Sequence, residues 1–171
     1  MKYKSIYLSF LLLFVHLYLA GQQMSVVVNG DAGLSGFLPS LTEAGNDYEP
    51  SVESESSLFV SVLYADYFDY VFSPNKKWRV FVHKSDVGWN SDIKLEARRT
   101  GSGTRVSWFS SNANIHDGTN YREITNNPSF FFRGKHGIST IPISLKFSGF
   151  SVIMGAGDFE TTLVFTVYDD W

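Results

Sequence analysis

Two serines are followed three residues later by a lysine, in Ser73-Pro74-Asn75-Lys76 and Ser91-Asp92-Ile93-Lys94. At that spacing a lysine amine can activate a serine hydroxyl for acyl transfer. Enzymes that use the pair also carry Ser-Asp-Asn and Lys-Thr-Gly elements, and neither occurs in this chain. The histidines after the N-terminal segment, His83, His116 and His136, are far apart in sequence, so their spacing predicts no metal site. Asp66 with Asp69, and Asp158 with Glu160, are carboxylate pairs of the type that cleaves glycosidic bonds when about 5–9 Å apart. Pairs of this kind arise in any acidic chain of this length. Gly101-Ser102-Gly103 and Gly155-Ala156-Gly157 superficially suggest phosphate cradles, but no helix follows to receive the anion, so both read as turns. The residues therefore predict no enzyme, no metal and no cofactor.

Binding chemistry is better represented. Aromatic residues make up 16% of the chain. Trp78, Trp89, Trp108 and Tyr121 lie on or beside predicted strands, where exposed rings can stack on sugar faces. Phe130-Phe131-Phe132 cannot all face inward in an extended strand, so at least one ring should meet solvent, a loop or a partner. Lys94, Arg98, Arg99 and Arg105 fall near Trp89 and Trp108 on a predicted hairpin, a mixture that can hold single-stranded nucleic acid. A solvated outer strand face explains them as well, and the acidic balance of the chain argues against a phosphate-backbone binder.

These residues must be positioned by a chain that begins with an export pattern. Lys2 and Lys4 precede an almost wholly apolar stretch from Ser5 to Leu19, and small Ala20-Gly21 ends it. This is the order of a cleavable signal peptide, 1–21, and its apolar run of about 15 residues is short for a membrane span. No later segment is comparable, so no span is expected in the mature chain. The full chain has 14 Lys and Arg against 17 Asp and Glu; the leader takes two lysines and no acid, leaving 12 against 17, a net charge of −5. There is no cysteine. That excludes disulfides, thiolate chemistry and a lipid-bearing N-terminal cysteine, and it suits a bacterial protein of the periplasm, cell surface or extracellular space.

The mature part, 22–171, has the length of one domain and can form a core without covalent staples. The segment 33–57 shifts to Gly, Pro, Ser, Asn and acids, and reads as a long acidic surface loop. Strand signals then recur at short intervals. Trp78, Val80 and Val82 alternate with Arg79, Phe81 and His83; Ile93, Leu95 and Ala97 alternate with Lys94, Glu96 and Arg98. The turn 100–104 suggests a hairpin joining this second strand to Arg105–Phe109. In the strand from Ile138 to Phe147, Pro142 predicts an edge position or a bulge, because it cannot donate to a ladder. Phe159–Tyr168 is apolar on both faces and predicts a strand that is central or lies between two packed layers. No helical period is sustained. The expectation is an all-β, single-domain antiparallel β-sandwich of about eight to nine strands.

The C-terminal run from Gly155 to Tyr168 (GAGDFETTLVFTVY) resembles the last strand of bacterial surface β-sandwiches, namely pilins of the chaperone–usher type and spore-coat-U-like proteins. The likeness covers about 14 residues. It departs from those families in lacking a disulfide and in continuing to Asp169-Asp170-Trp171. The resemblance implies an immunoglobulin-like sandwich that assembles by strand donation. In that reading Met24, Val26, Val27 and Val28, near the mature N-terminus, are the candidate donor strand; a plain first strand is the alternative.

The sequence thus predicts an exported, non-enzymatic cell-surface or pilus-like subunit that acts by assembly with itself or other surface proteins. The first alternative is a carbohydrate-binding module using exposed aromatics. The second is a small outer-membrane β-barrel, which the terminal Trp171 suits and Asp169 does not.

Overall fold

Period-two alternation becomes strand wherever one face can be buried. In the computed structural model, residues 24–30, 51–54, 58–65, 76–107, 112–151, 154 and 159–170 are described. Among them are eleven strands, against eight or nine expected: β1 (Met24–Asn29), β2 (Ser51–Glu53), β3 (Leu58–Tyr64), β4 (Lys77–Asp86), β5 (Lys94–Arg99), β6 (Thr104–Arg105), β7 (Asn114–His116), β8 (Arg122–Glu123), β9 (Ser129–Lys135), β10 (Ile138–Ser148) and β11 (Thr161–Asp170). The predicted signal segment 1–21, most of the 33–57 stretch, the predicted Ser73-Pro74-Asn75 turn, Asp66, Asp69, Trp108, Asp158 and Trp171 lie outside the described residues.

The protein is all-β, and its strands form two antiparallel sheets. One has the order β1-β3-β10-β5-β8, with β2 and β6 also pairing β10. The other has the order β11-β4-β9-β7. Buried residues of both sheets join a single apolar cluster. Val60, Val62, Leu95, Ile141, Ile143 and Leu145 come from the first sheet, and Trp78, Val80, Phe131, Phe132 and Val167 from the second. Fully burying an aliphatic or phenylalanine side chain contributes roughly 1.5–3 kcal/mol, so this shared cluster is the main driving force for folding.

β10 is the axis of the first sheet. Along one side it pairs β3 and then β2; along the other it pairs β6 and then β5. Pro142 is therefore in a central strand, with the predicted bulge close by, between Ile138 and Ile141. Its carbonyl accepts the Thr100 amide at 2.9 Å. A residue in an antiparallel ladder points its N–H and C=O to the same side. The missing N–H of Pro142 thus faces the gap between the end of β5 and the start of β6, where the ladder to β10 is interrupted.

The same gap overturns the predicted hairpin. After the turn 100–104 the chain does not fold back on β5; β6 instead pairs β10, with Ile138 opposite Arg105. The final strand is not central in its sheet. β11 is the edge of its sheet, paired to β4 over all ten residues from Thr161–Asp86 to Asp170–Lys77. Two short strands fall outside the strands expected: β2 within the 33–57 stretch read as a loop, and β7, whose Ile115 is buried opposite Gly134.

Candidate functional site

β1 and β11 border the two sheets on the same side of the molecule. β1 pairs β3 from Met24–Tyr64 to Asn29–Phe59, and no other ladder reaches it among the described residues. β11 pairs β4, with no second ladder among the described residues, and β1 lies beside it. The candidate donor strand is thus a docked first strand. Met24 is buried, Val26 is half-buried against the core, and Val27 and Val28 are exposed. On β11, Phe165 and Val167 anchor the inward face. The edge of a sheet is where an added strand can engage.

Two of the tryptophans proposed to stack on ligands, Trp78 and Trp89, are occupied otherwise. Trp78 is wholly buried on β4, its ring edge-on to Phe132 at 6.0 Å and its indole N–H donating to the His136 carbonyl at 2.6 Å. Trp89 is half-buried; its N–H donates to the Ile93 carbonyl at 2.9 Å, and Lys84 Nζ lies 5.2 Å from its ring centre. Tyr121 lies near two cations, Arg98 at 4.5 Å and Lys146 at 4.6 Å from its ring centre, and its hydroxyl bonds the Ser144 hydroxyl at 3.0 Å. Trp78 and Trp89 belong to the packing, and Tyr121 helps cover the outer face of the first sheet. The predicted basic hairpin is dispersed in the same way: Arg99 is buried, with Nε donating to the Asp117 carbonyl at 2.5 Å and a terminal nitrogen to the Gly101 carbonyl at 3.0 Å. Burial lowers its pKa.

A different set of rings is accessible. Between β4 and β9, Val80 is opposite Phe132 and Phe81 is opposite Phe130, so Phe131 is an extra residue in the ladder. This bulge turns both Phe131 and Phe132 inward and leaves Phe130 half-exposed on the outer face. There Phe130 meets Phe81 edge-on at 6.0 Å, and Phe81 meets Tyr168 edge-on at 5.3 Å. Tyr168 is 54% exposed. The alternation of β4 already placed Phe81 outward. Its neighbours required the register of β9 and β11, which no local pattern supplies.

The histidines do not converge. His83 and His116 lie on the outer face of the second sheet, and His136 is buried in the turn between β9 and β10, where burial and then Lys135 lower its pKa. No group of three metal-ligating side chains exists among the described residues. Compared with protein-family models, curated proteins and solved structures, the chain matches none at a significant level.

Proposed function

We propose that this chain is an exported surface subunit, an immunoglobulin-like β-sandwich that assembles by strand addition along β11. The observation that carries the reading is the edge position of this ten-residue strand: β4 holds one side, and no ladder holds the other among the described residues. A long strand at a sheet edge is a template for a strand from another chain. The donor in this reading is Met24–Val28 of a neighbouring copy. β1 suits exchange because it is held by a single strand and only Met24 is fully buried. The likeness of 155–168 to terminal strands of pilus-type proteins points the same way.

Three strands, β4, β10 and β11, reach the length of a barrel span. They are divided between two separate sheets, which favours a two-layer domain over a closed barrel. The test is amide hydrogen exchange across Thr161–Asp170, with a synthetic peptide of Met24–Asn29 added in excess. Strand addition predicts new protection along β11. Unchanged exchange at saturating peptide contradicts it.

A further inference from the structure

We propose that the outer face of the β11-β4-β9-β7 sheet binds an acidic polysaccharide, with Lys77, Arg79, Arg133 and Lys135 holding its anionic groups and Phe81, Phe130 and Tyr168 supporting its sugar rings. The inference is independent of strand addition at the β11 edge.

The register carries it. Lys77 is directly opposite Lys135, and Arg79 directly opposite Arg133, on adjacent central strands. All four alternate with the buried Trp78, Val80, Phe132 and Gly134, so they share the outer face. Like charges placed opposite one another in a sheet destabilise it, and two consecutive rows repeat the arrangement. Arg79 and Arg133 are 50% and 59% exposed along their side chains. The Arg79 row runs from Tyr168 on β11 through Arg79 and Arg133 to His116 on β7, and the Lys77 row from Asp170 through Lys77 and Lys135 to Asn114. Strands spaced about 4.8 Å apart make each row about 15 Å wide.

Two carboxylates temper the cluster: Asp170 bonds Arg79, and Asp117 bonds Arg133 at 3.0 Å. Lys77 and Lys135 have no ion pair among the described residues. Positive charge is thus concentrated on one face of a chain whose net charge is −3. The outer face of the other sheet is built differently. There Lys146 lies opposite both Glu53 and Glu96, 2.6 Å from the latter, and Arg98 is 3.5 Å from Glu53. Its like pair, Glu96 opposite Glu123, is relieved by that lysine. A merely solvated face resembles this second arrangement.

Aromatic rings beside a cation array fit a polyanion made of rings. Phe81 stands edge-on to both Phe130 and Tyr168, at 74° and 82°, so the three form a continuous apolar shelf rather than open slots for bases. That shelf favours a carboxylated or sulfated glycan over single-stranded nucleic acid.

The test is equilibrium binding of the mature chain, Gln22–Trp171, to polygalacturonate and to heparin, with neutral dextran and single-stranded DNA as comparisons. The expected result is binding to one or both acidic glycans, none to dextran, and weakening of on the order of tenfold between about 50 and 200 mM salt. The double variant Lys77→Ala with Lys135→Ala should lose on the order of tenfold in affinity, and Tyr168→Ala about threefold or more. Lys135→Glu should abolish binding while raising the thermal midpoint, because it replaces a repulsive cross-strand pair with an attractive one. Absence of glycan binding, equal binding to dextran, tighter binding to DNA, or retention of affinity in the lysine variants would overturn the proposal.

Discussion

The indole N–H of Trp78 donates to the backbone carbonyl of His136 at 2.6 Å, tying the middle of the second sheet to the turn that leads into β10. His136 holds that turn in a left-handed conformation, with φ of 62°, and its amide donates to the Lys76 carbonyl at 3.0 Å. Its ring lies 3.5 Å from the Tyr64 hydroxyl on β3. One buried side chain and one turn residue therefore connect β3, β4 and the β9–β10 turn.

Trp78→Phe retains most of the apolar volume but leaves the His136 carbonyl without its buried donor. It should cost about 1–3 kcal/mol. Trp78→Ala also opens a cavity beside Phe132 and should cost about 3–5 kcal/mol. Urea unfolding of both variants measures the difference.

Gly134 is opposite Trp78 in the ladder, and a Cβ there would run into the indole ring and approach the Asn114 carbonyl to 2.8 Å. Gly134→Ala should therefore destabilise by about 1–3 kcal/mol, although alanine suits a strand better than glycine does. Thermal unfolding of this variant, alone and combined with Trp78→Ala, checks that the cost comes from the contact, because without the indole the added methyl should cost less.

His136 has a lowered pKa because burial, and secondarily Lys135, disfavour its charged form. The unfolded chain therefore binds a proton more readily, starting near pH 6.5. Stability should be complete above that value and fall as the pH drops below it, until the folded histidine also protonates. His136→Asn, which tolerates the left-handed backbone, should flatten this part of the stability–pH curve. An unchanged curve would remove His136 as its origin.

Asp86 ties the end of β4 to the start of β11. Burial works against its charge, but bonds from Lys84 at 2.8 Å, Asn126 at 3.0 Å and Thr161 at 2.9 Å prevail and lower its pKa. Its contribution should be present above about pH 3.8 and be lost as the pH falls through the lower folded value. Asp86→Ala should cost about 0.5–1 kcal/mol at neutral pH and speed amide exchange at Thr161 and Thr162.

The long strands were legible because one face of each is buried. Trp78, Val80 and Val82, Ile93, Leu95 and Ala97, and Ile141, Ile143, Leu145 and Phe147 all point into the core as their alternation implies. Strand partners were not legible. The 100–104 turn has hairpin chemistry, yet the Thr100 amide bonds Pro142 and the chain continues along β10. β11 is apolar on both faces because Phe165 and Val167 enter the core while Val164 and Tyr168 lie on the aromatic and cationic outer face, so its pattern resembled that of a central strand. The bulge at Phe131, which decides which phenylalanines are accessible, depends on β4 and has no signature within β9 itself. The tryptophans were plausible ligand platforms by type alone; burial removes Trp78, and packing against Phe147 and Lys84 engages Trp89.

Assembly by strand addition is tested most directly by light scattering after size-exclusion chromatography of Gln22–Trp171, with and without Gln22–Gly30, at matched circular dichroism. Strand addition predicts concentration-dependent oligomers of Gln22–Trp171 that disappear when the segment carrying β1 is removed. A monomer at all concentrations, in both forms, would contradict it.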